Sequence, residues 1–221
     1  MLRKILIMVA ALLVLLLIII ATRPGTYSVT RSTTINAPAG VVYAQIADFH
    51  RWDAWSPWAK LDPSAKLTYA GPTSGPGAAY TWSGNDKMGE GKMLITSATP
   101  NKEVNIKLDF IRPFEASCTT GFALNPVSGG GTKLSWTMAG ENNFMMKAVS
   151  LFHDMGADIG GDFDRGLASL KAISEAEAKR EAEEMAKKAA TDAAAAQAAA
   201  DAAAAQAAAA AAAAKHTKGH H

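Results

Sequence analysis

Six short stretches between residues 66 and 139 alternate apolar and polar side chains, and turn-forming residues separate them. Alternation with a period of two is typical of a half-buried β-strand, because successive side chains point to opposite faces of a sheet. The segments between them, such as GPTSGPG and VSGGG, are rich in residues that favour tight turns. Short connections favour antiparallel neighbours, so this region predicts an antiparallel meander. The predicted strands are Lys66–Ala70, Ala78–Ser83, Gly91–Thr99, Glu103–Arg112, Ala116–Asn125 and Thr132–Ala139.

One further strand and two helices are predicted around this meander. Residues 26–35 predict a first strand, and residues 36–50 predict a helix because Asn36 and Pro38 are typical of a helix start. Residues 155–173 predict a long helix whose apolar residues fall on one face. That face requires cover from the sheet, which indicates an α+β domain. Its members are Ile159, Phe163, Leu167, Leu170 and Ile173.

The long helix contains four glycines, Gly156, Gly160, Gly161 and Gly166. Each glycine inside a helix costs about 1 kcal/mol relative to alanine. Either the helix backbone approaches a neighbour closely, or the missing side chains leave room between helix and sheet for a ligand.

The alternate positions of the strands place apolar side chains on one face of the sheet. This pattern fits a packed core as well as a ligand cavity. The face carries Tyr80, Cys118 and Thr120 but no His, Asp, Glu, Lys or Arg, which argues against acid–base catalysis within it. The only cysteine, Cys118, excludes an intramolecular disulfide and a multi-cysteine metal site. The positions are Tyr80, Trp82, Met93, Ile95, Val104, Ile106, Leu108, Phe110, Cys118, Thr120, Phe122, Leu124, Leu134, Trp136 and Met138.

An apolar run of eighteen residues, Ile5 to Thr22, follows Arg3 and Lys4. As a helix it spans about 27 Å, close to the thickness of a bilayer core. A secretory signal peptide has the same order of basic head and apolar run, but its apolar part is usually about 7 to 15 residues long. We therefore favour an uncleaved transmembrane anchor. The basic residues before the span favour a cytoplasmic N-terminus, with the soluble part outside the cytoplasm.

The last part of the chain, residues 175–221, is alanine-rich and of low complexity. Alanine is the best helix former, so a helix is expected there. Because alanine offers little surface to bury, this tail predicts a spacer or a loosely packed partner-binding segment. The final residues include His216, His220 and His221, which we interpret as a frayed terminus. The net charge of +2 and the scattered basic residues exclude a strong nucleic-acid partner.

Three of the five tryptophans, Trp52, Trp55 and Trp58, lie in the segment HRWDAWSPWAKLDP. Their spacing of three lets at least two of them share a helical face directed at the sheet. They either plug one end of the core, or Trp55 or Trp58 lines a cavity and offers an indole N–H to a ligand. The neighbouring His50 and Asp53 either guard a cavity mouth or cap backbone groups of the turn.

Several longer segments resemble the SRPBCC (START/Bet v 1-like) superfamily, and within it the bacterial, membrane-anchored, polyketide cyclase/dehydrase-like proteins. The resemblance covers about residues 27–173 and implies a helix-grip fold, a curved antiparallel sheet wrapped around a long C-terminal helix. It also implies a deep cavity that binds hydrophobic molecules, and only some members of the superfamily are enzymes. The alanine-rich tail departs from the family pattern. The segments are DFHRWDAWSPWAKLDP, YTWSGNDKMGEGKMLI, IKLDFIRPFEA, TKLSWTMAGENNFMMK and GGDFDRGLASLK.

These observations predict three parts: an N-terminal transmembrane helix at 1–24, a helix-grip domain at 25–174 and an alanine-rich helical tail at 175–221. The predicted function is binding of a hydrophobic small molecule or lipid, without catalysis, at the periplasmic side of a bacterial inner membrane. The alternatives are a polyketide cyclase or aromatase, and a scaffold that acts through its tail. We predict no cofactor and no nucleic acid as partner.

The predicted ligand-binding residues combine the apolar sheet face with its surroundings. Asn143 is included because Asn142 and Asn143 follow the last strand and are suited to orient the polar end of a ligand. His153, Asp154, Asp158 and Asp162 recur near helical spacing, but without a compact metal motif they indicate a solvated helix face, so no metal site is predicted. The set is Trp55, Trp58, Tyr80, Trp82, Ile95, Ile106, Leu108, Phe110, Phe122, Trp136, Met138, Asn143 and Phe163.

Overall fold

A computed structural model describes the backbone of residues 1–217 and the side chains of residues 1–209. Two compact units divide the chain, the first from Met1 to Ala176 and the second beginning at Glu177. The interpretation of His220 and His221, and of the side chain of His216, lies outside the described residues.

The helices and strands follow the predicted order. The tryptophan segment forms a short 3₁₀ helix at Phe49–Ala54, and the short helix α3 was not predicted as a separate element. The elements are α1 (Leu2–Ala21), β1 (Thr26–Ile35), α2 (Ala39–Ile46), the 3₁₀ helix (Phe49–Ala54), β2 (Lys66–Ala70), β3 (Ala79–Ser83), β4 (Glu90–Thr99), β5 (Glu103–Arg112), β6 (Ala116–Pro126), β7 (Thr132–Glu141), α3 (Phe144–Val149) and α4 (Met155–Thr217).

The seven strands form one antiparallel sheet in the order β1-β7-β6-β5-β4-β3-β2. The predicted meander from β2 to β7 is therefore confirmed, and β1 adds to it beside β7. Every predicted strand boundary agrees to within two residues, the largest difference being at β7, which continues from Ala139 to Glu141. Together with the long C-terminal helix, this sheet confirms the helix-grip α+β class.

Several connections meet at one end of the sheet, where α1 leads into β1. We call this the α1 end. It contains the start of β1, the end of β7 with α3, the β5–β6 turn and the β3–β4 turn. The strand register that defines it pairs Thr26 with Glu141, Gly140 with Cys118, Ala116 with Phe110, and Arg112 with Glu90.

The segment after α1 is tied directly to the segment that enters α3. The backbone N–H of Asn142 donates to the carbonyl oxygen of Gly25 at 2.8 Å. Its side-chain amide Nδ2 donates to the carbonyl oxygen of Pro24 at 3.2 Å. α3 also packs against α1. The short helix α3 is therefore held beside the C-terminal end of α1.

The helix α1 is the one described helix long and apolar enough to cross a membrane. Only Ile20 of its side chains is buried in the fold. A secretory signal sequence satisfies the same criteria of length and composition. The length and composition of α1 therefore fit both a membrane anchor and a cleaved signal sequence.

The core lies between the concave face of the sheet and the first part of α4. Phe163, Leu167 and Leu170 are buried, as predicted for their helix face, whereas Ile159 and Ile173 are half-buried. Two of the helix glycines are explained by close approach. A Cβ atom added at Gly166 would lie 2.8 Å from a ring carbon of Trp136.

The second close approach is at Gly160, where an added Cβ atom would overlap the guanidinium group of Arg31. Gly161 is different, because an added Cβ atom there would meet only Arg165, at 3.8 Å. Close approach of a neighbouring side chain to the helix backbone therefore accounts for Gly160 and Gly166.

Candidate ligand-binding cavity

A cavity of about 390 Å³ lies against the concave face of the sheet. Its wall is built from strands β1 and β3 to β7, the 3₁₀ helix with the loop that follows it, the β3–β4 turn, the residues around the β5–β6 turn, α3 and the start of α4. The volume lies within the range of about 300 to 1,000 Å³ that small-molecule sites usually have. Because the β3–β4 turn, the β5–β6 turn and α3 all contribute to its wall, the cavity extends to the α1 end of the sheet.

Seven of the thirteen predicted ligand-binding residues lie in the cavity wall. They come from the three strands β3, β5 and β7 and from the tryptophan segment, so the fold brings together residues separated by up to eighty positions. These seven residues are Trp58, Tyr80, Trp82, Leu108, Phe110, Trp136 and Met138.

Five of the other six lie in the packed core instead of the cavity wall. Each of them is at most 2% exposed, because the 3₁₀ segment, the sheet and α4 meet there without a gap. The sixth, Asn143, is exposed, and its side-chain oxygen accepts a hydrogen bond from the backbone N–H of Met146 at 2.9 Å, which caps α3. The five core residues are Trp55, Ile95, Ile106, Phe122 and Phe163.

The cavity also uses residues that the predicted set omitted. Met93 and Cys118 belong to the apolar sheet face recognised from the alternation of the strands, so the signal for them was present. Tyr27 comes from β1, where it lies opposite Gly140 on β7. Met146 and Met155 come from the methionine-rich stretch around α3, and no periodic pattern distinguishes that stretch in the sequence.

Two tyrosine hydroxyls and one thiol are the main polar groups contributed by the strands. Burial raises the pKa of Tyr27, with a further contribution from the neighbouring Cys118. Burial likewise raises the pKa of Tyr80, and electrostatic interactions with Tyr69 and Asp53 raise it further. Burial raises the pKa of the Cys118 thiol as well. All three groups therefore stay protonated and neutral at neutral pH, as donors rather than bases.

One indole N–H of the cavity wall has no hydrogen-bond acceptor among the described residues, that of Trp58. In each of the other four tryptophans, Nε1 donates a hydrogen bond to an acceptor within the fold. The Trp58 ring packs edge-to-face on Trp136 and on Phe163, with centroids 5.7 Å and 6.3 Å away. The satisfied pairs are Trp52 to the Ile46 carbonyl, Trp55 to the Gln45 carbonyl, Trp82 to the Met88 carbonyl and Trp136 to Thr120 Oγ1.

Charged residues contribute to the cavity wall at its edge. None of them is a buried residue, and they come from turns, helices or the last residue of a strand, which agrees with the absence of charge on the apolar sheet face. One of them is already paired, since the Nε atom of Arg112 donates to Glu90 at 3.0 Å. The charged residues are Asp53, Lys87, Arg112, Glu141 and Asp162.

His50 does not reach this cavity, whereas its neighbour Asp53 lines it. The His50 ring stacks on Tyr69 with centroids 4.0 Å apart and lies 2.8 Å from a carboxylate oxygen of Asp48. His50 and Tyr69 line a separate, smaller depression, which Phe49 also borders. His50 and Asp53 therefore do not form an acid–base pair in the cavity.

Within the residues that the structure describes, no group of three or more His, Cys, Asp or Glu is placed to hold a metal ion. His153 pairs instead with Asp158 through its Nε2 atom, at 2.5 Å. Asp154 accepts a hydrogen bond from the backbone N–H of Ala157 at 3.0 Å and caps the start of α4.

Comparison with solved structures finds proteins whose structures are similar to most of this chain. A protein from Chromobacterium violaceum is 14% identical and matches with a TM-score of 0.50, covering 67% of this chain and 96% of its own. A protein from Nitrosospira multiformis is 19% identical with a TM-score of 0.49, covering 69% of this chain and 99% of its own. No curated protein matches the sequence.

The family comparison is more extensive. Residues 26–175 match the family described as "Polyketide cyclase / dehydrase and lipid transport". The match includes every strand of the sheet, α2, α3 and the part of α4 that packs on the sheet. It confirms the resemblance to the SRPBCC superfamily, and the chain belongs to the polyketide cyclase / dehydrase and lipid transport family.

Proposed function

We propose that this protein is a membrane-anchored domain that holds a hydrophobic small molecule or lipid in its cavity and does not transform it. The proposed location is a bacterial inner membrane, with the domain on the periplasmic side. The tail, residues 175–221, is proposed to be a separate helical spacer.

The observation that carries the proposal is the cavity of about 390 Å³ with a predominantly apolar wall. Aromatic and methionine side chains supply thirteen of the twenty-nine residues of that wall, and thioethers adapt to ligands of varied shape. The donors inside it, the hydroxyls of Tyr27 and Tyr80 and the indole N–H of Trp58, suit a ligand with an acceptor oxygen.

The position of the cavity supports the anchor. Both the cavity and α1 are found at the α1 end of the sheet, so a poorly soluble ligand would travel only a short distance between bilayer and cavity. Nearly all the apolar side chains of α1 are exposed. Leaving them in water is unfavourable by about 25 cal/mol for each Å² of apolar surface, which favours a membrane around α1.

The chemistry of the wall supports binding without catalysis. An acid–base catalyst needs a titratable pair whose pKa values suit proton transfer near neutral pH. Burial moves the pKa values of Tyr27, Tyr80 and Cys118 upward, away from that range. The charged residues stand at the edge of the cavity, where they are partly or fully exposed.

The alternative of a cyclase-like enzyme has one observation in its favour. Asp53 lines the same cavity as Tyr80, and its charge contributes to the raised pKa of that tyrosine. If these two residues were an acid–base pair, both Asp53→Asn and Tyr80→Phe would leave ligand affinity intact and abolish turnover of the bound molecule. A bound molecule recovered unchanged after prolonged incubation with the protein contradicts the enzyme.

Native mass spectrometry of the full chain, released from its own membrane, tests the binding proposal. Met93→Trp adds volume in the cavity wall, and Leu94→Trp adds the same side chain on the outer face at the next position. We expect the wild type and Leu94→Trp to retain the mass of a hydrophobic ligand and Met93→Trp to lose it. Equal occupancy of both variants, or no retained mass in the wild type, overturns the proposal.

A further inference from the structure

The exposed apolar side chains of the domain are unevenly distributed. Eight large apolar residues between 26 and 176 are exposed, and six of them lie at the end of β5, on the β5–β6 turn, on α3 or just after α3. The eight, with their exposed fractions, are Leu61 39%, Leu94 39%, Ile111 44%, Phe114 74%, Phe144 55%, Met145 62%, Val149 40% and Phe152 87%.

Both segments adjoin or contribute to the cavity wall. Pro113 of the β5–β6 turn lines the cavity, as do Ala116 at the start of β6 and Met146 of α3. Leu61, a seventh member of the exposed set, also lines the cavity. Only Leu94 lies elsewhere, on the outer face of the sheet. Most of the exposed apolar surface therefore belongs to segments that also contribute to the cavity wall at the α1 end, and we call residues 111–114 and 144–152 the apolar rim.

The same rim lies beside the apolar helix α1. α3 packs against α1, and the two hydrogen bonds of Asn142 to Pro24 and Gly25 fix its start at the point where α1 ends. A helix that spans a bilayer ends at the membrane surface. The α1 end of the sheet is therefore the part of the domain nearest that surface.

We propose that the apolar rim docks on the lipid bilayer, so that the cavity mouth opens against the membrane. This inference rests on the proposed anchoring of α1 and goes beyond it, because an anchor alone would leave the domain free to turn on its tether. Partly buried apolar side chains such as Phe and Leu are typical of interfacial segments.

The charges near the rim favour a neutral membrane surface as the occupant. Lys147 lies on α3 and Lys87 lines the cavity, and Glu115 and Glu141 lie at the same end of the sheet. Arg112, within the rim, is balanced by its ion pair with Glu90 at 3.0 Å. Because the two signs are balanced, burial of apolar surface supplies the attraction. We therefore expect docking on zwitterionic phosphatidylcholine, without a requirement for anionic lipid.

The test uses the full chain in phosphatidylcholine nanodiscs, with the photo-crosslinking residue p-benzoylphenylalanine introduced at one position at a time. Phe114 and Phe152 report on the rim, and their replacement preserves an aromatic side chain. Leu94 on the outer face is the negative control, and Leu13 within α1 reports on the anchor. After irradiation, mass spectrometry identifies what each position has captured.

We expect lipid adducts at positions 13, 114 and 152, and none at position 94. Lipid adducts at position 13 without lipid adducts at positions 114 and 152 overturn the docking of the rim. That outcome leaves the anchoring of α1 supported. Adducts at 114 and 152 to a second copy of the chain also overturn it, since the rim would then be a dimer interface. Absence of lipid adducts at 13 instead refutes the anchor on which the inference rests.

Discussion

The indole ring of Trp136 on β7 stacks on the phenyl ring of Phe163 on α4, with centroids 4.0 Å apart and planes 7° from parallel. Both side chains are at most 1% exposed. Trp136 also lines the cavity, so this contact joins the cavity wall to the helix that covers the sheet. The stability of the helix–sheet packing and the shape of the cavity are thereby coupled.

Phe163→Ala should therefore destabilise the domain strongly. Truncating a fully buried phenylalanine typically lowers the free energy of unfolding by about 3 to 5 kcal/mol. Chemical denaturation of the detergent-solubilised chain measures the loss. Phe152→Ala removes the same side chain where it is 87% exposed and should change the free energy of unfolding by no more than about 0.5 kcal/mol. Equal effects of the two variants would show that the stack does not hold the helix.

Two glycines of α4 predict opposite responses to alanine. At Gly166 a Cβ atom would lie 2.8 Å from Trp136 and 3.0 Å from Pro57, so Gly166→Ala should destabilise the fold. At Gly161 an added methyl group meets only Arg165, so Gly161→Ala should stabilise the helix by up to about 1 kcal/mol. Melting temperatures of the two variants provide the comparison. A stabilising Gly166→Ala would contradict the close packing of helix and sheet.

Asp62 should make the stability of the domain depend on acid pH. The Ser64 hydroxyl donates to its carboxylate at 2.7 Å and the backbone N–H of Asn85 donates at 2.7 Å. These hydrogen bonds, chiefly that of Ser64, lower the pKa of Asp62. A lowered folded-state pKa stabilises the fold above the ordinary aspartate pKa of about 3.9 and ceases to do so as the pH falls through the folded value.

The measurement is the free energy of unfolding against pH for the wild type and Asp62→Asn. The variant should be less stable at pH 7, and the gap should narrow below about pH 4. Asp86→Asn is the control, since Asp86 is exposed in the next turn and makes no side-chain hydrogen bond among the described residues. A gap that stays constant with pH would show that the carboxylate charge of Asp62 is not involved.

The Cys118 thiol should react slowly in the folded protein. Burial raises its pKa, and the side chain is 7% exposed, so both the thiolate fraction and access are reduced. We expect alkylation at pH 8 to be markedly slower than in the urea-unfolded chain, since both the thiolate fraction and the access of the reagent are lower in the fold. Timed alkylation followed by mass spectrometry gives both rates, and equal rates would contradict a buried thiol.

Two truncations should locate the C-terminal limit of the stably folded domain. Glu175 accepts a hydrogen bond from the backbone N–H of Asn36 at 2.8 Å and pairs with Lys171 at 3.4 Å. A chain ending at Ala176 should keep the melting temperature of the full chain, whereas one ending at Ser174 should melt lower. A drop already present in the longer truncation would show that the tail stabilises the domain.

The three clustered tryptophans show where prediction from sequence reaches its limit. Their spacing correctly indicated side chains directed at the sheet. The structure separates them: Trp55 is buried in the core, and Trp52 and Trp58 line the cavity. Sequence spacing reports the direction of a side chain along its own element. It does not report what lies opposite, because that depends on where the 3₁₀ helix and α4 are placed over the sheet.

Local periodicity, turn signals and composition were enough to predict the strands, the meander from β2 to β7, the apolar face of the sheet, the long helix and the apolar N-terminal run. Which inward residues are packed and which line a cavity became clear only from the folded arrangement. Ile95 and Met93 occupy equivalent alternate positions on β4, yet Ile95 is core and Met93 is cavity wall. The physical reason is that alternation fixes the face of a side chain, whereas the filling of the space beyond it depends on elements far away in the chain.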